Sequence, residues 1–318
     1  MRIHQHWQGL DPSARGASIA LGNFDGVHLG HRAVIDLARP DPATPDAPLG
    51  IVTFEPHPRD YFAPHAPPFR LMNAESRANR LAKLGVQHLY QLPFDARMAS
   101  LTPEAFATEV LHDGLGIRHV VVGADFCFGK ARAGRAADLQ AYGDACGFRV
   151  TIATLIRSAG MEISSTAIRT ALTEGRPRDA AAMLGHWHRI EGEVIHGEKR
   201  GRELGYPTAN MALTGLHLPR LGVYASLVDV LTGPHTGSYF GASSLGVRPM
   251  FGENQPNLET YLLDFKGDLY GHHLSVALVD YLRPELKFDG LPALITQMAA
   301  DCDTARGVLS RLGPGSPA

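Results

Sequence analysis

The sequence predicts an α/β protein in two parts: a parallel sheet interleaved with helices over residues 1–185, then a small antiparallel β-barrel with a terminal helix over 186–318. Three observations lead there. In the first half, apolar strand-like runs alternate with helical periodicity, the pattern of βαβ units. After about Gly185 short strand-like runs follow one another across turns rich in Gly, Pro or Asp, the pattern of an antiparallel barrel. A chain of 318 residues also suits about two domains, and the halves share no internal repeat.

Taken in order, Ser18-Ile19-Ala20-Leu21 leads into a glycine-bearing turn and a helix from His31 to Ala38. Gly50 to Phe54 is a second short strand. Arg39–Pro48 and the proline-dense Glu55–Pro68 read as irregular surface segments. Thr102-Pro103-Glu104 has the form of a helix start, with threonine as cap and proline in the first turn. Phe106, Val110 and Leu111 continue that helix, and Gly114 is its expected stop. His119 to Gly123 is a continuous apolar run, as expected of a strand buried on both faces. In the second half strands are expected over Ile190–Ile195, Val223–Val230, Tyr239–Leu245, Leu258–Phe265 and Leu274–Tyr281. The last helix, Leu291 to Leu312, places Leu291, Leu294, Ile295 and Met298 on one face.

Composition narrows the function classes. The chain is 44% hydrophobic and 19% charged, with a formal net charge of -2. That balance gives no broad electrostatic footprint for nucleic acid or an anionic membrane, so anion binding must come from local sites. Cys127, Cys146 and Cys302 are too few and too scattered for a zinc site, and Cys127, inside an apolar run, reads as a core residue. The first sixteen residues lack the apolar core of a secretory signal, and no stretch approaches the ~20 apolar residues of a membrane span. A cytoplasmic protein that binds neither membrane nor nucleic acid, as a monomer or weak homo-oligomer, is the expectation.

The run Gly22-Asn23-Phe24-Asp25-Gly26-Val27-His28-Leu29-Gly30-His31 follows a strand and opens a helix. Glycine lets backbone turn tightly and approach a ligand. A helix N-terminus offers unpaired N–H groups to phosphate. His28 and His31, three positions apart, share a face in a first helical turn. A second stretch, Ile163-Ser164-Ser165-Thr166-Ala167-Ile168-Arg169, sets hydroxyls and an arginine at another helix start, which reads either as a second anion site or as a plain cap. The first run resembles the HxGH signature of the nucleotidylyltransferase superfamily, and in its full length the flavin-adenylyltransferase branch. Thr53-Phe54-Glu55-Pro56-His57-Pro58, Val122 to Gly129 and Ile163 to Arg169 extend that resemblance.

The resemblance implies a Rossmann-like nucleotidyltransferase domain in which FMN attacks the α-phosphorus of ATP and expels pyrophosphate. His28, His31 and Arg169 would be its catalytic groups. Gly22, Phe24, Asp25, Gly26, Gly30, Ser164, Ser165 and Thr166 would line the ATP site, and Asp125, Phe126 and Phe128 the flavin site. The family commonly continues with a glycine-aspartate pair after the Phe128-Gly129 position. Here the chain reads Ala133-Gly134-Arg135-Ala136, which leaves that loop's role, and with it adenylylation, open.

In the second half, Gly197 leads through Lys199 and Arg200 to Gly201-Arg202-Glu203-Leu204-Gly205-Tyr206-Pro207-Thr208-Ala209-Asn210. A glycine-rich basic loop suits phosphates, although alone it is more often an ordinary turn. Thr208 and Asn210 alternate onto one face of an extended segment, where a hydroxyl and an amide oxygen are hard donors fit for magnesium. The run resembles the riboflavin kinase motif, in which Pro-Thr-Ala-Asn is the most diagnostic element. Gly241 to Gly252, Leu258 to Phe265, Leu269-Tyr270-Gly271 and Tyr281 to Phe288 extend it, with Tyr261 where the family often has histidine. The resemblance implies a riboflavin kinase-like barrel that phosphorylates riboflavin to FMN. Gly197, Lys199, Gly201, Arg202 and Gly205 would cover ATP, Thr208 and Asn210 would hold Mg2+, and Glu259 would be the general base. Arg283, Gln297 and Arg306 would flank the flavin, while Asp264 and Asp301 read as structural or solvated. Together the two resemblances, over roughly residues 18–306, imply a bifunctional enzyme with riboflavin, FMN and ATP as substrates and FMN and FAD as products.

Overall fold

Consecutive rather than alternating apolar residues build the first sheet. The computed structural model describes residues 1–41, 45–154, 157–158, 161–197, 204–250 and 253–312. These fall into two compact units, one of Met1–Pro67 with Arg77–Ile163, the other of Pro68–Ser76 with the chain from Ser164 onward. In the first unit lie β1 (Arg2–His4), β2 (Ser18–Leu21), β3 (Leu49–Glu55), β4 (His88–Pro93) and β5 (His119–Gly123). A short hairpin of β6 (Cys127–Phe128) and β7 (Gly134–Arg135) precedes β8 (Arg149–Ala153). A second small pair, β9 (Arg157–Ser158) and β10 (Met161–Glu162), follows it.

The main sheet runs β1-β4-β3-β2-β5-β8 with every neighbouring pair parallel. Its central strands β2, β3 and β5 are buried almost throughout, as their unbroken apolar runs require. Ile19, Leu21, Val52, Val120 and Val122 pack with Leu111, Leu115 and Phe106 into one core. Each such fully buried side chain contributes about 1.5–3 kcal/mol. The strand order reverses at β2, which has β3 on one side and β5 on the other. Open parallel sheets bind ligands outside the carboxyl ends of their strands at such a reversal.

Several local expectations need revision. The helix at Thr102 starts as read, Thr102 Oγ1 accepting from the Ala105 N–H at 3.1 Å, but it continues from Pro103–Ala105 into a π-helix over Phe106–Gly114. Gly114 is helical, and the left-handed residue is Gly116, with φ of 57°. Glu55–Pro68 is not wholly irregular, since Pro58–Phe62 forms a short helix capped by His57. Cys127 is only half-buried, because β6 is a two-residue hairpin strand rather than a core strand.

In the second unit, β11 (Arg189–Glu193), β12 (Ala209–Ala212), β13 (Gly222–Val230), β14 (Gly237–Met250), β15 (Glu253–Leu262) and β16 (His273–Arg283) form an antiparallel sheet ordered β11-β16-β13-β14-β15-β12. An isolated bridge between Ile195 and Asn210 draws its two outer strands together, so the barrel is nearly closed. Val228, Leu245, Leu258, Leu274, Val276 and Leu278 fill its interior. Helices Ser165–Thr173 and Pro177–Leu184 pack together, and the final helix spans Leu291–Leu309. That final helix buries Asp301, Cys302, Ala305 and Leu309, not the expected stripe; Leu291 is 59% and Ile295 37% exposed. It is the helix's second half that meets the barrel strands.

His188 lies buried just before β11, and burial, with His186 and His217 nearby, pushes its pKa down to about 3. In an unfolded chain the same ring takes up its proton near pH 6.5. Its contribution to stability is therefore complete above pH 6.5 and is lost as pH falls from there toward 3. We expect the urea midpoint followed by Trp187 fluorescence in a Trp7→Phe background to fall between pH 7 and pH 4. The fall should be smaller in His188→Leu, and equal slopes in the two proteins would contradict this assignment.

Candidate active sites

The turn leaving β2 is held in backbone conformations that side chains disfavour. Phe24 and Val27 have φ of 51° and 43°, and Gly26 has 86°. For a β-branched residue such as Val27 this is a true outlier, costing on the order of 1–3 kcal/mol. Both non-glycine residues are buried, as is Asp25. The loop is braced from β3, with the Gly22 N–H donating to Val52 O at 3.1 Å and Thr53 Oγ1 donating to Asn23 O at 3.2 Å. Arg77, which no motif in the sequence marks, is buried beneath it, donating to Asn23 O at 3.4 Å and pairing with Glu55 Oε2 at 2.9 Å. Strain kept in place by that much surrounding structure is typical of a functional site.

His28 caps helix Leu29–Leu37, its Nδ1 accepting from the His31 N–H at 3.2 Å. An accepting Nδ1 leaves the proton of the neutral ring on Nε2. The two imidazoles stack, with centroids 3.6 Å apart and planes 12° from parallel. Gly30 explains the spacing: a Cβ there would stand 3.1 Å from the His28 ring. His31 Nδ1 is enclosed without a hydrogen-bond partner among the described residues. Burial first, and His28 second, hold the His31 pKa well below its ordinary value. The arrangement is a pair of stacked imidazoles at a helix N-terminus, with His31 held toward its neutral form by burial.

The expected flavin residues follow β5. Asp125 is exposed in a turn closed by the Phe126 N–H to Gly123 O at 3.0 Å. Phe126 stacks on Phe128 at 5.6 Å and 14°, while Phe128 is buried against Phe106 and belongs to the core. Arg135, where the chain departs from the expected loop, begins helix Ala136–Cys146, its N–H donating to Asp138 Oδ2 at 2.8 Å.

In the second unit, Ser164 caps helix Ser165–Thr173 by accepting from the Ala167 N–H at 3.2 Å, with Ser165 and Thr166 in the first turn. Arg169 donates from Nε to Phe69 O at 2.6 Å and lies 5.3 Å from the Phe69 ring centroid. Both the cap and the arginine of the sequence reading are therefore fixed in place.

On the barrel, Asn210 of β12 stands directly across from Glu259 of β15, and Glu259 in turn faces Ser244 of β14. Asn210 Nδ2 donates to Thr208 O at 3.2 Å. Gly197 passes so close that a Cβ would sit 2.6 Å from Asn210 Nδ2, which explains a glycine at that position. Gly205 has φ of 83°. Lys199, Gly201 and Arg202 lie outside the described residues. Sequence reasoning missed Asn257, two positions before Glu259, whose Nδ2 donates to Glu259 Oε1 at 3.2 Å. Spacing along the strand was the available signal, since i and i+2 share a face.

Arg283 and Gln297 converge on Asp301: Arg283 Nε and Nη2 reach its carboxylate at 2.9 and 2.6 Å, and Gln297 Nε2 at 2.9 Å. Arg306 pairs with Asp264 at 2.9 Å. The two aspartates thus orient all three residues expected at the flavin. Among the described residues no helix is long and apolar enough to cross a membrane, and no three His, Cys, Asp or Glu side chains cluster as for a metal.

A strained turn at the reversal of a parallel sheet, in one chain with a glutamate facing Asn210 on an antiparallel barrel, is the arrangement expected of a two-part transferase. The FAD synthetase family matches residues 10–167, and the riboflavin kinase family residues 184–309. A bifunctional riboflavin kinase/FMN adenylyltransferase of Pseudomonas fluorescens is 39% identical over 309 residues, covering 97% of this chain and 98% of that one. One from Escherichia coli (strain K12) is 38% identical over 291 residues, 92% of each chain. The crystal structure of a Streptococcus pneumoniae protein described as a macrolide-efflux protein aligns with a TM-score of 0.81 at 30% identity, covering 96% of this chain and 98% of that one. The chain belongs to the bifunctional riboflavin kinase/FMN adenylyltransferase family. It carries both domains, one phosphorylating riboflavin to FMN with ATP, the other adenylylating FMN to FAD.

The contact at Gly197 makes a direct prediction. Gly197→Ala should displace the Asn210 amide and lower kcat for riboflavin phosphorylation about tenfold or more, leaving FMN adenylylation unchanged. Steady-state kinetics of both steps check it, and a wild-type kinase rate would show that the contact does not matter.

Proposed function

We propose that Glu259 accepts the proton of riboflavin's 5′-hydroxyl as that oxygen attacks the γ-phosphorus of ATP. The new O–P bond forms as the bond from the γ-phosphorus to the bridging oxygen breaks, and ADP leaves with the electron pair. The observation that carries this reading is the register that sets Glu259 across from Asn210. A carboxylate with an unperturbed pKa of about 4.3 is a weak base for an alcohol. Held within hydrogen-bond reach, it assists when proton transfer runs late with the phosphoryl shift.

Thr208 and Asn210 are the residues that would hold magnesium. Hydroxyl and amide oxygens are the hard donors that Mg2+ takes alongside substrate phosphates, and the orphaned Oδ1 of buried Asn257 shows the neighbourhood to be incompletely satisfied. When bound, the ion supplies neutralisation of charge on the phosphoryl oxygens. Gly197, Lys199, Gly201, Arg202 and Gly205 would cover the ATP phosphates, with Arg283, Gln297 and Arg306 at the flavin.

For the second transfer, a phosphate oxygen of FMN attacks the α-phosphorus of ATP, and the bond to the bridging oxygen breaks to release pyrophosphate. We assign the stabilisation of that charge to His28, His31 and Arg169. Gly22, Phe24, Asp25, Gly26, Gly30, Ser164, Ser165 and Thr166 would line the nucleotide site, and Asp125, Phe126 and Phe128 the flavin site. His28 presents Nε2–H because Nδ1 is occupied by its cap. His31, neutral by burial, gains a reason to protonate once phosphate charge stands beside it. A functional division at 185/186, a cytoplasmic location, and a monomer or weak homo-oligomer that binds neither membrane nor nucleic acid complete the proposal. The family matches at 10–167 and 184–309 support the division.

Initial rates of FMN and FAD formation, separated by chromatography, test the assignment. Glu259→Gln should slow riboflavin phosphorylation by about 10²–10⁴ while supplied FMN is still converted to FAD. His31→Gln should slow FAD formation by on the order of 10² while FMN formation continues. Full rates in either variant, or loss of both steps in one, would overturn the assignment.

A further inference from the structure

We propose that Asn257 is a positioning residue of the riboflavin kinase step, its carboxamide fixing the Glu259 carboxylate for proton acceptance. The inference rests on the reading of Glu259 given above and adds a residue to it. Asn257 and Glu259 lie two apart on β15, so their side chains leave the same face of the strand. Asn257 pairs with Ala212 of β12 and Gly246 of β14, two small neighbours that leave its amide room to turn toward Glu259.

The side chain is almost fully enclosed, at 4% exposure. Its Nδ2 donates to Glu259 Oε1 at 3.2 Å, and more weakly to Asn210 Oδ1 at 3.5 Å. Its own Oδ1 has no hydrogen-bond partner among the described residues. A buried unsatisfied carbonyl is a cost that an apolar residue of similar size at this position would avoid. An asparagine serving the fold alone would satisfy both ends of its amide. Here the end that is satisfied is the donor end, and it meets the reacting carboxylate. The geometry therefore locates the value of Asn257 in its two N–H groups. The N–H given to Glu259 restrains one of its oxygens, so that the other keeps a fixed direction toward the attacking hydroxyl. Such a restraint acts on the transition state more than on substrate binding, because orientation matters most while the proton is in flight.

The test is steady-state kinetics of Asn257→Ala and Asn257→Asp beside Glu259→Ala, in the full chain with riboflavin, ATP and magnesium. A hydrogen bond to a charged group is worth about 1.5–3 kcal/mol, so kcat for riboflavin phosphorylation should fall about 10–150-fold in both Asn257 variants. KM for riboflavin and ATP, and the magnesium concentration for half-activation, should each stay within about threefold. FMN adenylylation in the same preparations should be unchanged, and the retained KM values for riboflavin and ATP establish that the barrel itself is folded. In the Glu259→Ala background, Asn257→Ala should add less than about a twofold loss, since the group it positions is gone.

A wild-type kcat in Asn257→Ala overturns the inference. So does a fall in kcat matched by a rise in the KM for ATP or in the magnesium requirement, which would place its action at Asn210. A Glu259→Ala variant with full kinase rate would instead overturn the reading of Glu259 itself, and this inference with it.

Discussion

A chain of net charge -2 that handles triphosphates cannot rely on bulk attraction. On the reading proposed above, the first unit meets that need locally, with backbone N–H groups at the helix start after β2. Phe24, Gly26 and Val27 adopt positive φ so that the chain can leave a buried strand and enter helix Leu29–Leu37 within a few residues. The cost of those conformations is offset by burial of Phe24 and Val27 and by the brace of Thr53, Arg77 and Glu55. Sheet order matters for the same reason. The strand order reverses around β2, the kind of position at which open parallel sheets bind ligands.

The kinase site answers a different constraint. A nearly closed barrel has few places where polar side chains can face one another without disturbing its interior. Asn210 marks such a place, for it carries the bridge to Ile195 and stands opposite Glu259. Closing the barrel and bringing Asn210 opposite Glu259 are thus one event in sequence terms, and Gly197 is small because backbone crosses the Asn210 amide at that seam. At the residues proposed for the flavin the device is ionic. Asp301 and Asp264 fix Arg283, Gln297 and Arg306, and the Arg283 pair is largely enclosed, where such geometry is held more firmly than at an exposed pair.

Much of this was legible in the residues. The apolar runs at Ser18, Gly50 and His119 became central parallel strands, and the second-half runs became β11 and β13–β16. The strands that escaped reading have physical reasons. β1 is three residues with arginine and histidine among them, β4 mixes His88 and Gln91 with apolar neighbours, and β8 is only partly buried. Arg77 sits in a polar helix that looks solvated from sequence, and only the tertiary fold buries it. The terminal helix shows the opposite error: Leu291 and Ile295 form a visible stripe, yet the barrel covers the later turns around Ala305. Periodicity identifies a face, but not which turns of it will be covered.

The most direct measurement of the central account follows phosphorus atoms from ATP into FAD. Riboflavin is converted by the purified full chain with magnesium and ATP labelled either in the γ- or in the α-phosphate. Two independent transfers predict one γ-derived phosphate on the riboflavin side and one α-derived phosphate on the adenylate side of every FAD formed. Label entering from the γ-position alone, with FMN as the end product, would contradict the account by leaving the first unit without its transfer.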